Sequence, residues 1–169
     1  MRRVVVLGPG GAGKSDFSRA LARRTGLPVV HLDRLFWRPG WKPAPRDEAV
    51  GDLAAAIRAD RWILDGNFLD AGDARFERAD TVVFLDLPRA TCLWRVLRRL
   101  VRDRRRDRVD LPDGCREGFD PALLRWIWRY PREDRPRVLG VLGELDGRVA
   151  VHRLCSSAEV RRYLESVVA

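Results

Sequence analysis

Residues 8–15 read Gly8-Pro9-Gly10-Gly11-Ala12-Gly13-Lys14-Ser15. The spacing fits G-x-x-x-x-G-K-[ST], a loop built to wrap a phosphate. The flanks agree. Val4-Val5-Val6-Leu7 is a short apolar run that predicts a buried strand. From Ser15 to Arg24, Phe17, Ala20 and Leu21 recur at helical spacing, and Thr25-Gly26 is a stop signal. Between such a strand and helix, glycines let backbone N–H groups point inward, and the helix start adds partial positive charge. Gly8, Gly10, Gly11, Ala12, Gly13, Lys14 and Ser15 are therefore the expected phosphate-binding residues. Lys14 is expected to reach the β- and γ-phosphates of a nucleotide, and the Ser15 hydroxyl to hold Mg²⁺. The chain has two lysines, Lys14 and Lys42; every other fixed cationic side chain is arginine. Position 14 is where a compact ammonium serves better than a planar guanidinium.

At 169 residues the chain predicts one domain, 1–169, with a sizeable core. No run of about 18 apolar residues is present, so no membrane span is expected. The apolar run after Met1-Arg2-Arg3 is too short for a secretory signal. Cys92, Cys115 and Cys155 are odd in number and far apart, which fits neither a disulfide framework nor a zinc quartet and predicts a reducing, cytoplasmic setting. The net charge of +9 favours acidic partners: nucleotides, phosphorylated substrates or nucleic acid.

Further strands are predicted at 28–32, 62–64, 81–85 and 149–154. Helices are predicted at 45–59, with Val50, Leu53, Ala54 and Ile57 on its apolar face, at 89–102, burying Leu93, Val96, Leu97 and Leu100, and at 158–168. Residues 36–45 predict a loop. An insertion over 103–135 opens with a charge run, and Asp120-Pro121 starts a helix through Trp126 and Trp128 that Pro131 ends or kinks. A separate helix is expected over 136–145. Strands alternating with helices imply an α/β fold, a five-stranded parallel sheet with helices on both faces. Ligands in such sheets sit at the C-terminal strand ends, which here carry the phosphate loop, Asp33, Asp65, Asp86 and Cys155. Acidic groups after three strands around one phosphate loop suit Mg²⁺-dependent phosphoryl transfer.

Trp62-Ile63-Leu64-Asp65-Gly66-Asn67 and Ala79-Asp80-Thr81-Val82-Val83-Phe84-Leu85-Asp86-Leu87-Pro88 resemble adenylate kinase and related nucleotide kinases. His31-Leu32-Asp33-Arg34-Leu35-Phe36-Trp37-Arg38-Pro39-Gly40-Trp41, with Trp126-Ile127-Trp128-Arg129-Tyr130-Pro131, is similar to the adenylate-kinase-like proteins labelled DNA topology modulation proteins. The resemblance implies a P-loop NTPase core using ATP and Mg²⁺, an acceptor-side segment over about 33–59 and an arginine-rich helical lid over about 103–135. It implies Mg²⁺ held at Ser15 and, through water, at Asp65, with Asp86 the runner-up. Asp33-Arg34 and Asp65-Gly66-Asn67-Phe68-Leu69 depart from the adenylate kinase pattern and make AMP a poor acceptor.

Asp33 is either the group that orients or deprotonates an acceptor hydroxyl, or a helix cap or salt-bridge aspartate. Of the lid arginines, Arg102, Arg104, Arg105, Arg106, Arg108, Arg132 and Arg135 are candidates to neutralise charge on the transferred group, and Arg132 is the choice carried forward. Arg98 or Arg99, with Arg99 carried forward, either stacks on the adenine or is a surface residue. The loop after the last strand, at Cys155, is expected to offer backbone groups to the adenine edge. Phe36, Trp37 and Trp41 line an acceptor pocket or pack the acceptor-side helix. His31 and His152 read as structural. The activity expected is ATP-dependent phosphorylation of an unidentified small molecule or nucleotide. The alternatives are an ATP-binding regulatory or nucleic-acid-binding protein and an ATPase without an acceptor.

Overall fold

The computed structural model describes residues 1–69, 74–102, 111, 112, 114, 115, 118–145 and 147–167. Five strands form one parallel sheet: β1 (Arg3–Leu7), β2 (Val29–His31), β5 (Trp62–Asp65), β6 (Thr81–Leu85) and β7 (Ala150–Leu154), in the order β2-β5-β1-β6-β7. The α/β architecture expected from the sequence is the one observed. β1 lies in the middle because its four apolar residues, Val4 to Leu7, are all fully buried. A strand buried on both faces reads as continuous apolar sequence rather than alternation.

The pleat sends alternate residues to opposite cores. Val4, Val6, Ile63, Val83 and Leu85 pack with α1 (Lys14–Thr25), α5 (Arg89–Arg102) and α7 (Ser157–Ser166). Val5, Leu7, Leu64, Val82 and Phe84 pack with α3 (Arg46–Ile57), α4 (Ala74–Arg78) and α6 (Pro121–Glu144). Each core buries more than ten apolar side chains. At about 1.5–3 kcal/mol per fully buried large side chain, both are needed to offset the chain entropy lost on folding.

Several local expectations change. Residues 32–36 form a short helix, α2 (Leu32–Phe36), so Asp33 sits in a helical turn rather than at the end of the second strand. The expected loop over 36–45 contains a small hairpin: β3 (Trp37–Arg38) pairs antiparallel with β4 (Lys42–Pro43). Positive φ at both Gly40 and Trp41 reverses the chain within three residues. In α3 the buried residues are Ala49, Leu53 and Ile57, while Val50 and Ala54 are exposed. In α5 the core takes Cys92 and Val96, and Leu97 is exposed.

The largest difference is α6. Pro131 neither ends it nor separates it from a second helix; one helix runs from Pro121 to Glu144 with Pro131 and Pro136 inside. Asp120 accepts from the Ala122 N–H at 2.8 Å and caps it, with Pro121 in the first turn, as expected. Interior prolines each remove a backbone hydrogen bond. Burial of Ile127, Tyr130, Val138 and Leu142 offsets that loss. The helical part of the expected lid is thus packed on the core from Ile127 onward. Residues 103–110, 113, 116 and 117, with the run Arg104, Arg105, Arg106 and Arg108, lie outside the described residues.

Candidate functional site

Residues 8–13 connect β1 to α1 in a shape that needs glycine at defined points. A Cβ on Gly8 would lie 2.8 Å from the Leu85 carbonyl oxygen. A Cβ on Gly11 would overlap the Cys92 carbonyl oxygen of α5, and Gly11 has φ +77°. On the outside, Gly10 faces Trp126 and Ile127 of α6, whose nearest atoms would be 3.2 and 3.3 Å from a Cβ. The loop is therefore wedged between α5, α6 and the sheet. Gly13 precedes α1 in the left-handed conformation and places no side chain over the helix end. The first N–H groups of any helix lack intrahelical partners, so this end presents donors and partial positive charge.

Lys14 Nζ donates to the carbonyl oxygens of Gly8 at 2.9 Å and Pro9 at 3.2 Å, so the ammonium lies across the mouth of the loop. Ser15 is half-buried in the first turn of α1. Two side chains that the sequence reading passed over hold the loop. Asn67 Oδ1 accepts from the Gly8 N–H at 2.9 Å. Arg95 donates to the Ala12 carbonyl at 2.9 Å and, through its other terminal nitrogen, to Ser157 Oγ at 2.9 Å, joining the loop to α5 and α7. Arg95 borders the buried Cys92/Val96 stripe of α5, and that helical spacing was the available signal. Arg99, one turn further on, is half-buried.

The strand ends bring the acidic groups into play. His31 ends β2 and Asp65 ends β5; they are register partners. His31 Nδ1 lies 2.8 Å from Asp65 Oδ2, and their side chains are 9% and 4% exposed. His31, expected to be structural, holds the Asp65 carboxylate in place at the end of the neighbouring strand. Asp33 is half-buried two residues further on, in α2. The segment after Asp65 is clamped by Arg75, which is fully buried and donates to the carbonyls of Gly66 (3.3 Å), Asn67 and Phe68 (3.1 Å).

Asp86 directly follows β6 and is bound by two arginines. Arg135 Nε donates to Oδ1 at 2.9 Å and to Oδ2 at 3.1 Å, and Arg153 Nε donates to Oδ2 at 2.7 Å. The hydrogen bonds to Asp86 hold the Arg135 guanidinium above its ordinary pKa. Asp86 therefore closes a strand and anchors α6. Of the two arginines weighed on α6, Arg135 reaches the sheet end. Arg132 is exposed and makes no hydrogen bond or ion pair among the described residues. Beyond β7, Glu159 accepts from the Cys155 N–H at 2.8 Å, and Ser156 caps α7. The backbone donor of Cys155 is thereby already engaged.

The donor set suits a nucleotide with Mg²⁺. Among the described residues no group of three or more His, Cys, Asp or Glu could hold a metal unaided. Ser15 and Asp65, the two residues expected from the sequence to hold Mg²⁺, both carry hard oxygen donors of the kind that ion takes.

Comparison with known proteins adds the following. The family model described as isopentenyl transferase matches residues 1–37, the stretch from β1 through the phosphate loop and α1 to α2. No curated protein matches the chain in sequence. An unliganded sugar kinase from a Janibacter species is similar in structure, with a TM-score of 0.52 and 20% identity over 98% of this chain and 93% of that one. The chain therefore has the P-loop kinase-like α/β fold, with its five parallel strands in the order β2-β5-β1-β6-β7.

Proposed function

We propose that the chain is a phosphotransferase that moves the γ-phosphoryl group of Mg-ATP to a small acceptor. The observation that carries this reading is the meeting, at one end of the sheet, of the phosphate loop with the Asp33 turn and the Asp65 strand end. Backbone N–H groups of the loop and the start of α1 bind the phosphates. Lys14 leaves the carbonyls of Gly8 and Pro9 for the β- and γ-oxygens. Ser15 and Asp65 would hold Mg²⁺, which would supply neutralisation of negative charge on the phosphate oxygens. Asp33 orients the acceptor hydroxyl and takes its proton. A lid arginine, Arg132 or one from 102–108, neutralises the transferred group, and Arg99 packs near the base. The match to an isopentenyl transferase model over the loop, and the kinase-like fold, support ATP as donor. Asp33-Arg34 and Asn67-Phe68-Leu69 argue against AMP as acceptor, so a hydroxylated small molecule is the better choice within the adenylate-kinase-like, DNA topology modulation resemblance.

The test is ATP binding by calorimetry with Mg²⁺, followed by a screen of nucleosides, nucleotides, sugars and small alcohols for ATP-dependent phosphorylation. Lys14→Ala should abolish transfer and weaken ATP binding. Asp33→Asn should abolish transfer and leave ATP binding intact. No measurable ATP or GTP affinity would end the proposal. Salt-sensitive nucleic-acid binding with no acceptor turned over would favour the regulatory alternative.

A further inference from the structure

The chain has a single asparagine, Asn67, and no glutamine. Its one carboxamide side chain lies against the phosphate loop, where Asn67 Oδ1 accepts from the Gly8 N–H at 2.9 Å. An N–H can only donate, so this bond fixes which end of the amide is oxygen. Nδ2, with two N–H donors, is left over: the Asn67 side chain makes no other hydrogen bond among the described residues. The carbonyl of the same glycine takes the Lys14 ammonium at 2.9 Å. Amide and ammonium therefore flank one residue at the mouth of the loop. β5 lies between β1 and β2, so Asn67 approaches the loop from the side of the Asp33 turn.

The fold holds the turn at 66–68 from three directions. Arg75 donates to the carbonyls of Gly66, Asn67 and Phe68. Phe68 stacks on Phe36 of α2, with ring centroids 4.2 Å apart. Gly66 passes under Leu32, whose Cβ would be 2.8 Å from an added methyl. Phe68 has φ +30°, a conformation costly for an aromatic residue. Strain of this kind persists only where its surroundings enforce it, and it clusters at functional sites. The choice of an amide matters too. Aspartate has the same shape and accepts from a backbone N–H at least as well. It has no donor, however, and would set a second negative charge beside an anionic ligand. An amide can accept from the loop and donate to a phosphate oxygen at once.

We propose that Asn67 binds the terminal phosphate of the nucleotide: Oδ1 stays on Gly8 while Nδ2 donates to a γ-phosphoryl oxygen. The inference rests on the phosphotransferase reading above and adds to it the residue that tells a triphosphate from a diphosphate. An asparagine that only braced the loop would treat the two nucleotides alike.

The test uses the untagged full chain, labelled with ¹⁵N, in the presence of Mg²⁺. With one asparagine and no glutamine, its spectrum holds a single carboxamide NH2 pair, which Asn67→Asp removes. ADP should leave that pair near its free position. The β,γ-imido analogue of ATP should shift it downfield and slow its hydrogen exchange. The same response to both nucleotides, or no response with both bound, overturns the proposal. Calorimetry then gives the affinities. Asn67→Asp keeps an acceptor for the Gly8 N–H and should melt with the wild type, yet lose about tenfold in its preference for the ATP analogue over ADP. Asn67→Ala carries no charge and should lose the same preference, which separates the missing donor from repulsion by the aspartate. A wild-type preference retained in Asn67→Ala overturns the assignment. A wild type that binds neither nucleotide removes the phosphotransferase reading and this inference with it. One that binds both while its amide fails to distinguish them removes this inference alone.

Discussion

Gly11→Ala is the sharpest probe of how the phosphate loop is built. The residue has φ +77°, and an added Cβ would overlap the Cys92 carbonyl oxygen and lie 2.9 Å from Val96 Cγ2 and 3.0 Å from the Cys92 carbonyl carbon. Two of those three atoms belong to the backbone of α5, which cannot turn aside as a flexible side chain would. The left-handed conformation costs an alanine roughly 1–2 kcal/mol. Overpacking against a well-packed wall adds about 1–3 kcal/mol. The sum, about 2–5 kcal/mol, corresponds in a chain of this size to a fall in melting temperature of roughly 4–20 °C. The control is Gly51→Ala, in the middle of α3 with nothing within 4 Å of the new methyl. There the alanine gains about 0.5–1 kcal/mol of helix stability and should raise the melting temperature slightly. Circular dichroism melts of both variants without nucleotide read out the pair. A Gly11→Ala protein that melts with the wild type would show that the loop is not wedged against α5.

Three further outcomes follow from the geometry. Asp86→Ala removes the carboxylate shared by Arg135 and Arg153; because both arginines are partly solvated, the loss should be about 1–2 kcal/mol in chemical denaturation, and no loss would mean that α6 does not need its anchor. Asp80 is pushed up by burial, but its hydrogen bonds from Thr81 Oγ1 and from the N–H groups of Arg3 and Arg2 outweigh this and hold its pKa below the ordinary value; a depressed folded pKa gives stability that is present above the unfolded value and lost as pH falls through the folded one, so the wild type should lose its advantage over Asp80→Asn between about pH 5 and pH 2, and a constant difference would refute the linkage. Burial pushes the Cys92 thiol up to about 11, Cys115 is buried with its Sγ donating to the Arg38 carbonyl at 3.2 Å and Cys155 is exposed, so native protein at mild alkaline pH should label rapidly at one thiol, Cys155, with two fast labels contradicting the packing.

The sheet was legible because its signals are local. Val4 to Leu7, Trp62 to Leu64 and Thr81 to Leu85 are apolar runs closed by aspartate or glycine, and each is a strand within one residue of its expected bounds. The phosphate loop was legible for the same reason: eight contiguous residues carry it. What escaped the reading depends on partners distant in sequence. Arg75 looks like any surface arginine of a short polar stretch until the fold closes the loop at 66–68 over it. His31 reads as structural, but its partner is not legible until Asp65, 34 residues away, arrives at 2.8 Å. Prolines at 131 and 136 carry a strong local signal to stop, and the core contacts of Tyr130 and Val138 override it. Of the catalytic candidates, Lys14 and Ser15 begin α1, Asp65 ends β5 and Asp33 lies in α2 just past the end of β2, whereas the arginines were interchangeable in sequence. Their hydrogen bonds in the folded chain are what single out Arg95 at the loop and Arg135 at the sheet end.

The sealed guanidinium at position 75 restricts which replacements this chain can tolerate. Lysine preserves the charge but concentrates it on one nitrogen and cannot copy a flat fork that spans three successive peptide oxygens. Methionine matches the length and abandons those oxygens in the interior. A relative that lacks arginine here should therefore carry a differently shaped turn at 66–68, and with it a different seat for whatever stands in for Asn67 against the first glycine of the nucleotide loop.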